Sequence, residues 1–292
     1  MNIKIISDSA CDLPEEVAKK YDIDIIPFHV LLDDIDYLDG ETIKSKELYE
    51  KMREGKMPKT SQVTPKQFID VFTKNVKKEK KCLYIGFSSK MSGACQTGYL
   101  AAQHVKDTYP DSVIEVVDSE GGALAQGLSV YTAARMAQEG SSFSEIIEEV
   151  SIRAGHTEHI FSVDDLEYLF RGGRVNRVSS FVGGILNIKP ILHVKEGRMI
   201  PTEKIRGKTK AIKRIVEIME ERGENLRNQT VAISHADDIE SAMRLKKLIN
   251  DRFGTEKFLI NSVGCVLGSH IGIGGVAAFF LNKDYYKIKA AG

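Results

Sequence analysis

The first half of the chain alternates between two periods. Short runs of branched and apolar residues, IKII (3–6), IDIIPFHVLL (23–32), CLYIGF (82–87) and VIEVVDS (113–119), read as strands. Between and after them lie stretches with helical spacing, among them PEEVAKKY, SKELYEKMREG, PKQFIDVFTKNVKK and GACQTGYLAAQHVKDT, then GGALAQGLSVYTAARMAQEG and SFSEIIEEVSIRAG. Strand–helix alternation at this interval predicts a mainly parallel sheet with helices on both faces. From HIFSV onward the grammar changes. Two strands, in PILHVKEGRMIPTEKI, are joined by a turn at Lys195-Glu196-Gly197-Arg198, followed by helix KTKAIKRIVEIMEERG, strand TVAISHA, helix DIESAMRLKKLINDRF and strand KFLINSV. A hairpin followed by alternating elements predicts an α+β layer with a mixed or antiparallel sheet. The chain therefore reads as α/β with two domains, 1–156 and 157–292, each long enough to bury its own core.

A balance of 41 basic and 41 acidic side chains leaves a formal net charge of zero. No global field draws such a chain to nucleic acid. The four cysteines, Cys11, Cys82, Cys95 and Cys265, form no C-x-x-C pair, a pattern that suits a reducing cytoplasm better than disulfides or zinc. The opening MNIKIISDSACDLP has too short an apolar run for a signal peptide, and a cytoplasmic location is expected. One segment pulls the other way. Phe258 to Asn282 contains no Asp, Glu, Lys or Arg, and Gly264, Gly268 and Gly272 repeat a G-x-x-x-G spacing. Its glycines and the central Ser269-His270 weaken a spanning helix, while FLINSV has strand character. The segment reads as a buried strand, turn and helix making at most transient membrane contact; a membrane-tethered adaptor is the alternative.

Several catalytic signatures fail. Gly207-Lys208-Thr209 ends like a phosphate-binding loop, but Thr202 stands where the leading glycine belongs. Gly272 to Ala277 fits G-x-G-x-x-A, yet only fifteen residues follow, too few for a βαβ unit. Gly86-Phe87-Ser88-Ser89-Lys90 starts like a nucleophile elbow but has Lys90 in place of the second glycine. His156 and His159 have no evident carboxylate or cysteine beside them, and no metal site is expected. No ATP site and no catalytic residue is assigned; a serine hydrolase using Ser88, Ser89 or Ser92 with His270 is the enzymatic alternative.

What survives is a set of small polar clusters at element junctions. In Lys59-Thr60-Ser61-Gln62-Val63-Thr64-Pro65, Thr64 with Pro65 and Gln67 makes a capping box for the next helix. That leaves Thr60 and Ser61 without a helix to cap, as plain loop or as ligand contacts. Ser92 can cap the helix after Gly93, or Gly93 can let an anion reach the free N–H groups there. His270 in its glycine-rich turn satisfies buried carbonyls or meets a ligand. Arg171 precedes two glycines at a helix end, where a cation is favoured in any case. A basic run, Arg206, Lys208, Lys210, Lys213 and Arg214, opens a helix against the macrodipole and reads as a solvated face or as a docking surface for an acidic partner.

Taken in order, SDSACDLP, KTSQVTP, GFSSKMSGACQTG, DSEGGALAQG, LEYLFRGGRV and GSHIGIGG resemble the DegV family over essentially the whole chain. The resemblance implies a two-domain fold that holds one long-chain fatty acid between its domains and needs no cofactor. It also implies similarity to the fatty-acid-binding subunits of bacterial fatty acid kinase, which present a carboxylate to a separate ATP-binding kinase and release acyl phosphate for phospholipid synthesis. By position it puts Thr60 and Ser92 as donors to the carboxylate, with Ser61 and Gly93 beside them and His270 close by. Arg171 falls near the exit that faces the kinase. For the acyl chain, Phe161, Val163, Phe181, Ile185, Leu186 and Ile191 are expected to line the pocket.

Overall fold

The computed structural model describes residues 3–78, 80–175 and 187–291. Its first part runs β1 (Ile3–Asp8), α1 (Glu15–Lys20), β2 (Asp24–Ile26), β3 (His29–Leu32), β4 (Ile35–Leu38), α2 (Ser45–Arg53) and β5 (Lys59–Ser61). There follow α3 (Pro65–Val76), β6 (Lys81–Gly86), α4 (Ala94–Thr108), β7 (Ile114–Asp118), α5 (Ala123–Glu139) and α6 (Phe143–His156). The order β2-β1-β6-β7 makes an all-parallel sheet. Alternate residues of its central strands face opposite ways, as the period of two requires. Ile5, Leu83 and Ile85 meet Val130, Ala133 and Val150 of α5 and α6. Ile6, Cys82 and Tyr84 share a core with Phe68, Phe72 and Val105 of α3 and α4. Helices thus cover both faces.

One strand reading is corrected. IDIIPFHVLL is two strands, because Pro27 has no N–H to give a ladder. The chain leaves the parallel sheet at Ile26, and β3 pairs antiparallel with β4 and β5 in a separate three-stranded sheet.

The remainder comprises β8 (Thr157–Ser162), α7 (Glu167–Arg171), β9 (Ile188–Lys195), β10 (Arg198–Arg206), α8 (Lys208–Arg222) and β11 (Val231–His235). After these come α9 (Ile239–Phe253), β12 (Phe258–Ser262), α10 (Cys265–Ile271), β13 (Val276–Leu281) and α11 (Lys283–Ala291). The sheet order is β10-β9-β8-β13-β11-β12, antiparallel except for the parallel β11–β12 pair. Ile160, Ile191, Ile233, Ala278 and Phe280 pack against α8 and α9. The opposite face, with Phe161, Leu192, Ala232, Ala277 and Phe279, joins the core that holds Phe28, Phe87 and Leu124. That shared core is where the two sheets' layers meet.

The uncharged run is strand, helix and strand, β12, α10 and β13, so AAFFL is a further strand beyond the expected helix. Among the described residues, no helix is long and apolar enough to cross a membrane. The basic run is not five free cations. Arg214 makes a two-pronged ion pair with Glu203 and also reaches Glu221 at 2.7 Å, while Lys208 pairs with Asp164 and Asp238.

Candidate functional site

The site starts from the short strand β5. Its pairing sets Thr60 opposite Val30 and Ser61 opposite His29, and α3 then starts at the Thr64–Gln67 capping box. With the box complete, Thr60 is free to turn elsewhere. Its Oγ1 lies 2.7 Å from Nε2 of His270, in the last turn of α10. Against the imidazole lies Gly172, the first of the paired glycines after α7, and the two glycines differ in role. A Cβ on Gly172 would run into Nδ1 of His270, whereas Gly173 turns the chain at a φ of +68°. Burial first, and the Arg174 charge second, lower the His270 pKa to about 4. At neutral pH the ring is uncharged, with one nitrogen a donor and the other an acceptor.

Ser92 and Gly93 stand at the start of α4. Ser92 Oγ accepts from the Ala94 N–H at 3.2 Å. Gly93 has no side chain because a Cβ there would collide with Oε1 of Gln62, which is anchored through its Nε2 to Thr97 Oγ1 at 2.9 Å. Thr60, Ser61, Ser92, Gly93 and His270 all line one cavity of about 1040 Å³, the solvent at its mouth included. Its remaining wall is mostly apolar, with Phe28, Phe87, Met91, Leu267 and Phe279 prominent. Few polar groups converging on an oily cleft are the usual composition of a small-molecule site.

The other expected residues divide. Phe161 lines the cavity. Val163 is buried in the adjoining core and is not part of the wall. Ile191 points the other way, into the layer under α8 and α9, because Leu192 holds the cavity-facing parity of β9. Phe181, Ile185 and Leu186 lie outside the described residues. Arg171 does not line the cavity; it is exposed, 3.1 Å from Glu167 and 3.8 Å from the Met57 sulfur. Arg174, three residues on, does line it, and donates to the Met91 carbonyl at 3.2 Å beside Ser92. Arg174 was the sequence's other arginine in RGGR, and nothing local distinguishes the two.

Among the described residues no serine hydroxyl hydrogen-bonds His270. Ser88 Oγ donates to the Gly197 carbonyl at 2.8 Å, and His270 Nε2 faces a threonine. His159, 3% exposed, has a pKa lowered to about 4 by burial, which outweighs the opposing influence of the Thr157 backbone. A histidine whose folded pKa lies below its unfolded value stabilises least at low pH, because the unfolded chain takes up the extra proton. Buried Asp8, Asp12 and Asp39 are shifted upward and act in the opposite sense. The comparison with His159→Phe cancels them. Between pH 6.5 and pH 5 the wild type is expected to lose about 1.5 kcal/mol relative to that variant in urea unfolding.

The family model for uncharacterised proteins of the DegV family matches residues 2–283. The chain belongs to the DegV family. A DegV domain-containing protein of Clostridium perfringens is 38% identical over 280 residues, 95% of this chain and 96% of that one. Among solved structures, the fatty acid binding DegV protein of Bacillus subtilis superposes with a TM-score of 0.86 at 30% identity, covering 97% of this chain and 100% of its own. A DegV family protein from Thermus thermophilus, solved for its fatty acid binding, gives 0.87 at 30% identity over 97% and 100%. The stearic acid-binding protein of Eubacterium ventriosum gives 0.88 at 26% identity over 98% and 99%. The DegV fold expected from the ordered motifs is the fold of this chain.

Proposed function

We propose that this protein binds one long-chain fatty acid in the cavity and hands its carboxylate to a separate ATP-binding kinase, which forms the acyl phosphate used in phospholipid synthesis. The observation that carries the reading is the Thr60–His270 pair, with Ser92 and Arg174, opening on a largely apolar cavity. A carboxylate taken out of water needs several donors to stay ionised. The Ser92 hydroxyl, the Arg174 guanidinium and the one donor that the Thr60–His270 hydrogen bond leaves free supply them. The tail supplies most of the affinity: about fourteen methylenes of a C16 chain at ~0.8 kcal/mol each give ~11 kcal/mol gross, before association and ordering costs. The kin that bind fatty acids, at 26–30% identity over nearly the whole chain, support the ligand class.

The partner rests on chemistry and on the family likeness. An ionised carboxylate is already a nucleophile toward a phosphoryl donor, so the carrier needs no general base. It needs charge neutralisation near the transferred group, which Arg174 and the exposed Arg171 can give. The direct test is native mass spectrometry of gently purified protein, followed by ATP and the kinase. A bound mass of one C14–C18 fatty acid per chain is expected, converted to acyl phosphate only when the kinase is present. Protein recovered without any fatty acid, and unable to take one up, removes the reading.

A further inference from the structure

Two polar side chains in the cavity wall have no partner. His159 on β8 and Ser234 on β11 both line the cavity, His159 almost wholly buried and Ser234 fully so. Neither ring nitrogen of His159 has a partner in good hydrogen-bond geometry, although the Thr157 backbone lies near enough to act on the ring, and the Ser234 hydroxyl has none either. The register explains their aim. His159 lies opposite Phe279, and Phe161 opposite Ala277, which in turn lies opposite Ser234. All five therefore share the sheet face that carries the apolar wall. The Phe279 ring meets the imidazole edge-on, with centroids 5.6 Å apart. Gly121 leaves room for Nε2, since a Cβ there would collide with it. On the far side of the ring is a polar cleft, in which Arg222 donates to Glu158 at 3.0 Å and contacts His193 at 2.9 Å.

Unpaired polar groups this deep are costly and rare in folded proteins. A saturated alkyl chain laid across this wall leaves both unpaired. Held neutral by burial, the imidazole offers a donor on one nitrogen and an acceptor on the other, and a single hydroxyl group can meet whichever of them faces it. We infer that the cavity is built for a long-chain fatty acid bearing a hydroxyl group on its chain, received by His159 with Ser234 as a second polar contact. This specificity presupposes fatty-acid occupancy and narrows its class.

Competition binding with stearic acid and its monohydroxy isomers, the hydroxyl moved stepwise along the chain, tests it. Stearic acid binds, and isomers with the hydroxyl at one or two adjacent positions bind about tenfold tighter. In His159→Phe the ratio of hydroxy to plain affinity falls to about one. Without any substitution, the ring ¹⁵N shifts of His159 move on binding the favoured isomer and stay put with stearic acid. If no isomer binds tighter than stearic acid, because water serves His159 equally well, the specificity is overturned and the fatty-acid reading stands. If the preference survives in His159→Phe, the assignment of that residue is overturned. If stearic acid and every isomer fail to bind, the underlying reading itself falls.

Discussion

Thr60→Ala combined with Ser92→Ala is expected to weaken fatty-acid binding by roughly 30- to 900-fold. That is a loss of about 2–4 kcal/mol, taking ~1–2 for each hydrogen bond to a charged carboxylate. The two hydroxyls come from strand β5 and the turn before α4, more than thirty positions apart in sequence, yet they open on the same cavity as His270. Removing Thr60 does more than delete one donor. Its Oγ1 is the 2.7 Å partner of His270 Nε2, so the imidazole loses the contact that orients it. The double variant is therefore expected to differ from the sum of the single ones, as neighbours around one ligand do. Ser92 is also the acceptor for the Ala94 N–H, so its single substitution lowers stability slightly as well as affinity. Calorimetric titration of delipidated protein with stearic acid reads both. A dissociation constant unchanged in the double variant removes these residues from the site.

How far the sequence led depends on whether the signal was local. The capping box at Thr64 to Gln67 is written in adjacent residues, and the structure has it; recognising it was what left Thr60 unexplained by local needs. The parallel sheet was legible because its strands and crossover helices alternate at the right interval. Other features hinge on tertiary neighbours. Ile191 and Leu192 are adjacent and equally apolar, and only the partner layers decide which enters the core shared with the first half and which faces α8. Strand β13 has every residue buried, so no alternation betrays it inside the uncharged run. Arg174 and Arg171 bracket the same glycines, and the direction each takes is set by the fold around Met91 and Met57. The break at Pro27 was the one missed feature with a local cause.

Asp39→Ala is expected to destabilise the protein by about 3–5 kcal/mol, read as a lower urea midpoint with an unchanged slope. The first N–H groups of any helix lack intrahelical partners, and those of α10 are buried. Asp39, 4% exposed, accepts from Cys265 N at 2.9 Å and Val266 N at 3.4 Å, while Asp12 accepts from Gly264 N at 2.8 Å. Alanine leaves two buried donors with nothing to bond. An asparagine in its place would keep one acceptor oxygen but turn an N–H₂ toward donors, so Asp39→Asn is expected to fall between wild type and Asp39→Ala. Burial, aided for Asp12 by the neighbouring Asp39, raises both carboxyl pKa values. A carboxyl raised in the folded state contributes most below the ordinary Asp value and loses that contribution as pH rises through its folded pKa. The gap between wild type and Asp39→Ala should thus widen toward acid, against the trend set by His159. These two carboxylates come from the first half of the chain and hold the helix whose last turn carries His270, which faces Thr60 from that same half. The clasp and the head-group pair close the cavity from two ends of one short helix, so loosening the first should misplace the second. A fall in stearic acid affinity that accompanies the lower midpoint is the expected sign; full affinity in a destabilised Asp39→Ala protein would show that His270 finds its place without the clasp.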